Sequence, residues 1–104
     1  MSDIFKAIAD PTRREILLTI AKNPENINAI ADRFDMSRPA VSKHIRILTE
    51  SNLVIIEQDP NDSRQRNCFI QLEALNEVSQ FLNKLEKFWD SKLDGLGSYL
   101  KNRE

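Results

Sequence analysis

The stretch Ser37–Leu48, SRPAVSKHIRIL, decides the reading of this 104-residue chain. Ser37 is a good helix N-cap, because its hydroxyl can accept from a first-turn amide. Pro39 falls in the first turn, where a missing N–H is tolerated. Val41, Ile45 and Leu48 recur at i, i+4 and i+7, so they share one face and predict a helix that turns it to a core. Arg38, Ala40, Ser42, Lys43 and Arg46 then lie on or beside the outer face. From Ser37 to Thr49 there are three basic residues and no acid, although the chain as a whole carries a formal net charge of −1. The segment from Glu73 to Glu104 is also slightly acidic. The positive charge is local, and its distribution says more than the total.

Working outward, NINAIADRF at 26–34 predicts another helix, with Asn26 as cap and Ile27, Ile30, Ala31 and Phe34 inward. Asp35 stands where a left-handed residue is wanted. Two short helices, a tight turn and an exposed basic second helix make a helix-turn-helix. Before it, Ser2–Ala9 predicts a short helix with Ile4, Phe5 and Ile8 on one face. Asp10 and Pro11 then start a helix whose buried stripe is Ile16, Leu17, Ile20 and Ala21. Asn23-Pro24 stops it.

Downstream, LVIIEQ (53–58) and NCFIQL (67–72) are β-branched and aromatic runs joined by DPNDSRQR (59–66), rich in turn residues. They predict a hairpin whose loop ends in Arg64 and Arg66. A basic hairpin directly after a helix-turn-helix is the wing of the winged variant. From Glu73 a last helix places Leu75, Val78, Leu82, Leu85, Trp89, Leu93, Leu96 and Leu100 at steps of three or four, broadened by Phe81 and Phe88. That stripe is wider than so small a domain needs for its own core. Gly95 and Gly97 weaken its end.

The bulk composition agrees. With 40% hydrophobic and 30% charged residues, two glycines and four prolines, the chain suits one mainly α domain over 1–104. Within it, 37–49 is the recognition helix, 53–72 the wing hairpin and 73–100 a terminal helix. The start MSDIFKAIAD lacks the pattern of a signal peptide, and no apolar run reaches the ~18 residues of a membrane span. One cysteine, Cys68, gives neither an internal disulfide nor a metal spacing. These features predict a reduced, cytoplasmic protein without cofactor or metal. Glycine-rich phosphate loops and HExxH are absent, and one histidine stands far in sequence from the cysteine, so no catalytic residues are expected.

The order ADPTRREIL (9–17), helix-turn-helix, SRPAVSKHIRIL, SNLVIIEQ (51–58), basic wing and long terminal helix resembles the ArsR/SmtB family of bacterial winged-helix repressors. The pairing of DPTRREIL with SRPAVSKHIRIL is specific, and the resemblance covers nearly the whole chain. It implies a homodimer joined through the first and last helices, which binds an inverted-repeat operator in double-stranded DNA and represses transcription. Many members sense metals through a Cys-X-Cys pair at the start of the third helix. Aligned on AIAD, those positions are Asn26 and Asn28, neither a usual soft-metal ligand. A second family site uses Asp and His on the terminal helix, which here holds no histidine. Metal sensing by either site is therefore not expected. The end FWDSKLDGLGSYL is similar to that of small autorepressors in the family.

The expected DNA-binding residues are Ser37, Arg38, Ala40, Ser42, Lys43 and Arg46, with Arg64 and Arg66 of the wing. Arg38, Ala40 and Ser42 would approach base edges, and Ser37, Lys43 and Arg46 the backbone. Arg13 and Arg14 read as surface salt-bridge partners. His44 is half-turned to the core as a structural or phosphate-contacting residue, Cys68 is a semi-buried strand residue, and Phe88 and Trp89 serve dimer or core packing. The alternative reading is a winged-helix protein-interaction module that does not bind DNA, since fold alone does not settle function.

Overall fold

A computed structural model describes residues 3–62 and 64–101, with side chains through Lys92. Asp3 accepts from the Phe5 amide at 2.8 Å and starts α1, Ile4–Ala9. Asp10 ends α1 and caps the next helix at once, its carboxylate accepting from the Arg13 amide at 3.1 Å. With Pro11 in the first position, α2 runs Pro11–Lys22. Asn26 caps α3, Ile27–Phe34, by accepting from Ala29 N–H at 2.8 Å. Asp35 closes α3 in the left-handed region (φ 51°, ψ 48°), and the Met36 amide folds back onto Ala31 O at 3.0 Å. Asp tolerates this backbone better than a branched residue does. Ser37 Oγ then accepts from Ala40 N–H at 3.2 Å and opens α4, Arg38–Glu50.

The helices bury one contiguous core. Ile16, Ile20, Ile30, Val41, Ile45, Leu48, Leu53 and Cys68 are its largest fully enclosed side chains, and Ala7 of α1 is also sealed within it. Ala21, expected in the buried stripe, is exposed instead. The last turn of α2 runs past the core there, beside an open apolar groove that Leu17, Leu18 and Ala21 help to line. Cys68 is fully rather than partly buried, and desolvation pushes its thiol pKa up to about 11.

Strand β2, Val54–Gln58, pairs antiparallel with β3, Arg66–Ile70, from Val54 opposite Ile70 to Gln58 opposite Arg66. The sheet has a third strand that was not expected. Glu25–Asn26 forms β1 and pairs with the other edge of β3, Glu25 opposite Cys68 and Asn26 opposite Asn67. The order is β1-β3-β2, so the start of α3 is stitched to the wing.

A short 3-10 turn at Leu72–Leu75 precedes α5, Asn76–Lys101, which therefore begins later than the expected Glu73. The helix runs through Gly95 and Gly97 without ending; the side chains of Leu93, Leu96 and Leu100 lie outside the described ones, as does Ser2. Phe81 of α5 meets Phe5 of α1 edge-on at 5.5 Å. Beyond that contact α5 leaves the body of the protein, giving overall dimensions of 61 × 26 × 22 Å. The radius of gyration is 18.8 Å, against about 13 Å for a compact chain of this length.

Candidate nucleic-acid interface

The outer face of α4 is built by the same periodicity that buries Val41, Ile45 and Leu48. Arg38, Lys43 and Arg46 are exposed, Ala40 and Ser42 half-buried. Ser42, Lys43 and Arg46 border, with Pro39, a shallow depression of about 370 Å³. Ser37 lies at the edge of this face with its hydroxyl oxygen engaged as the α4 cap.

Arg38 lies outside this depression. At the start of α4 it shares a narrow cleft of about 100 Å³ with Arg64 and Arg66 of the wing, Gln65, and Asn26 and Asn28 of the first turn of α3. Arg66 is the first residue of β3, not part of the loop as expected, because it pairs with Gln58. Arg64 remains in the loop, nine-tenths exposed, with Nε 3.4 Å from Asp62 Oδ1. Asp59 pins the same loop by accepting from Asn61 N–H at 2.7 Å, and this bond with the Asn67 amide holds its carboxyl below the usual range. Asn26 Nδ2 donates to Gln65 Oε1 at 3.2 Å, so one side chain caps α3 through its oxygen and holds the wing through its nitrogen. Neither the depression nor the cleft is lined by a carboxylate.

Arg13 makes the salt bridge expected of it, to Asp10, but both it and Arg14 also bind backbone carbonyls. Arg13 donates from Nε to Ala7 O at 2.7 Å and from Nη2 to Lys6 O at 3.1 Å. Arg14 Nη1 donates to Ile8 O at 2.8 Å and Ala9 O at 3.0 Å. The pair satisfies the carbonyls that the end of α1 leaves without helical partners. Arg13 also lies 3.8 Å from Asp10, whose carboxyl is held below its ordinary range mainly by the Arg13 amide. Asn26, Asn28 and Gln65 were likewise not expected in the basic face. The Asn26 cap was legible, but its contact with Gln65, 39 residues away, carries no local signal.

The profile of the family described as "Bacterial regulatory protein, arsR family" matches residues 10–55, which span α2 through the start of β2. The transcriptional repressor SdpR of Bacillus subtilis is 31% identical over 91 residues, an alignment covering 81% of this chain and 94% of that protein. This chain belongs to the ArsR family. Rv2034 of Mycobacterium tuberculosis, an HTH-type transcriptional regulator, is 32% identical over 88% of the chain and 79% of its own length. Among solved structures, the ArsR family transcriptional regulator RHA00566 superimposes with a TM-score of 0.74 at 32% identity, covering 88% of this chain and 98% of that one.

As an ArsR-family protein, the chain is a winged helix-turn-helix, DNA-binding transcriptional regulator rather than an enzyme. Among the described residues, no helix is long and apolar enough to cross a membrane. No group of three His, Cys, Asp or Glu side chains among them could hold a metal ion.

Proposed function

We propose that this ArsR-family chain is a homodimeric, sequence-specific repressor that binds an inverted repeat, with the promoter of its own gene as the first candidate operator. The observation that carries the reading is the outer face of α4: three exposed basic side chains, no carboxylate among them, beside a basic wing. Arg38, Ala40 and Ser42 would meet base edges, where arginine can pair bidentately with guanine. Ser37, Lys43 and Arg46 would hold the backbone on one side, and Arg64 and Arg66 on the other.

Dimerisation is supported by α5. Phe81, Leu82, Leu85, Phe88 and Trp89 are all about half-exposed along it, more apolar surface than an isolated domain leaves to water. Two copies joined there would set two α4 helices about one DNA turn apart, ~34–36 Å, and make the operator a near-palindrome.

Fluorescence anisotropy on duplex DNA from immediately upstream of the gene, with excess nonspecific competitor and at two salt concentrations, tests the reading. Salt-sensitive binding that survives competitor, by a species that sediments as a dimer, supports it. A protein that stays monomeric on DNA would refute the two-half-site arrangement. The exposed apolar face of α5 and the net charge of −1 favour a second reading, a protein-interaction module. That module would have no DNA affinity to lose to salt, whereas each phosphate contact lowers log K by ~0.9 per log unit of salt.

A further inference from the structure

The cleft between the wing and the first turn of α3 has a charge problem that the fold does not solve. Arg38, Arg64 and Arg66 line about 100 Å³ together. Among the described residues, the guanidiniums of Arg38 and Arg66 have no hydrogen-bond or ion-pair partner, and Arg64 has only the long contact to Asp62 through Nε. Glu25, the carboxylate next in sequence to Asn26, is paired with Arg33 instead. Like charges lining one small cleft repel one another even in a solvated site. The other lining groups are the side-chain amides of Asn26, Asn28 and Gln65, together with Ile27. Asn26 is fixed by its bonds to Ala29 N–H and Gln65, so the cleft has a defined wall. The cleft is small, about 100 Å³, which suits a compact anion.

We propose that this cleft is a phosphate-binding site, in which the guanidiniums of Arg38, Arg64 and Arg66 hold the phosphate and the side-chain amides of Asn26, Asn28 and Gln65 complete its polar lining. The positions that carry the soft-metal ligands in metal-sensing relatives would here belong to an anion site. The phosphate can come from the DNA backbone or from a free phosphorylated species. Only the first source rests on the DNA-binding reading. In that case Arg38 clamps a phosphate together with the wing, in place of the base contact proposed above, and α4 reads bases through Ala40 and Ser42.

The test is a ¹H–¹⁵N titration of the whole chain with inorganic phosphate against chloride at matched ionic strength. Saturable shifts confined to the side-chain amides of Asn26, Asn28 and Gln65 and the amides of Ile27 and Asn28 are expected. Asn28→Asp puts a carboxylate in the lining of the cleft, in the first turn of α3, where a negative charge favours the helix. It should leave the fold intact and weaken phosphate roughly tenfold or more, the scale of one like-charge contact. Shifts spread evenly over all surface cations, or equal binding by Asn28→Asp, would mean an adventitious ion only and overturn the proposal.

A second arm adds a 30-base-pair random duplex. Loss of the phosphate shifts on duplex binding assigns the cleft to the DNA backbone, and their persistence in the complex assigns it to a free phosphorylated ligand. Confined phosphate binding by a protein that ignores duplex would sink the DNA reading while leaving the site in place.

Discussion

Arg13 Nη1 lies 3.3 Å from His44 Nδ1. A guanidinium has only donors, so in this contact Nδ1 is the acceptor. The same guanidinium holds Lys6 O and Ala7 O. One side chain of α2 thus ties the end of α1 to the middle of α4. The half-buried His44 faces the body of the protein through this bond and is a positioning residue.

Arg13→Ala is therefore expected to cost about 2–3 kcal/mol, because it leaves two backbone carbonyls and a ring nitrogen without a charged donor. A thermal melt should fall by roughly 10 °C or more for a domain of this size. His44→Ala should cost about 1 kcal/mol, the usual net worth of one hydrogen bond. The double variant should lose less than the sum of the two, since they share a contact. Strict additivity would show that the Arg13–His44 bond contributes nothing.

Cys68 gives a pH prediction. Its folded pKa is raised to about 11 by burial, above the ~8.5 of an exposed thiol. The folded state holds the proton more tightly, so this contribution to stability is complete below about pH 8.5 and is lost as pH rises through about 11. Urea titrations should show stability falling over that alkaline window, and Cys68→Ala should fall less steeply. A thiol reagent should label the native protein at neutral pH only as fast as it unfolds. Immediate labelling would contradict the burial.

On DNA, Ala40→Glu or Ser42→Ala should lose preference for operator over random duplex, whereas Arg64→Ala with Arg66→Ala should weaken all duplexes alike. The wing double variant should flatten the slope of log K against log salt by up to roughly 1.8, two contacts at ~0.9 each. Arg38→Ala separates two roles. A loss of specificity of about 1–3 kcal/mol marks a base contact, and a uniform loss with a flatter slope marks a phosphate contact. An unchanged slope in the wing variant removes the wing from the interface.

For self-association, Leu82→Glu with Leu85→Glu should turn the proposed dimer into a monomer in sedimentation velocity without unfolding it, because both side chains are already 42–49% exposed in the single chain. The monomer should lose operator affinity far more than affinity for random duplex. Dimers that persist in this variant would move the interface off α5.

The parts of the fold that were legible in the sequence are those fixed by neighbours along the chain. Asp10-Pro11, Asn26 and Ser37 mark helix starts because a cap acts on amides two or three residues away. Asp35 marks a turn because the left-handed backbone is a property of one residue. Val41, Ile45 and Leu48 predicted both the buried and the exposed face of α4, since one implies the other.

Tertiary structure decided what depends on reach. A two-residue strand has no periodicity, so β1 could not be read from Glu25-Asn26; it exists because the edge of β3 was open beside it. Arg13 and Arg14 carry the same charge as any surface arginine, and only the bend between α1 and α2 turns them onto α1 carbonyls. Ala21 fits the stripe by spacing but emerges where the core ends. Sequence placed Arg38 on α4 and Arg66 in the wing, 28 residues apart along the chain. The sheet that pins the wing to Asn26 set them in one cleft, because strand pairing joins segments that chain distance separates.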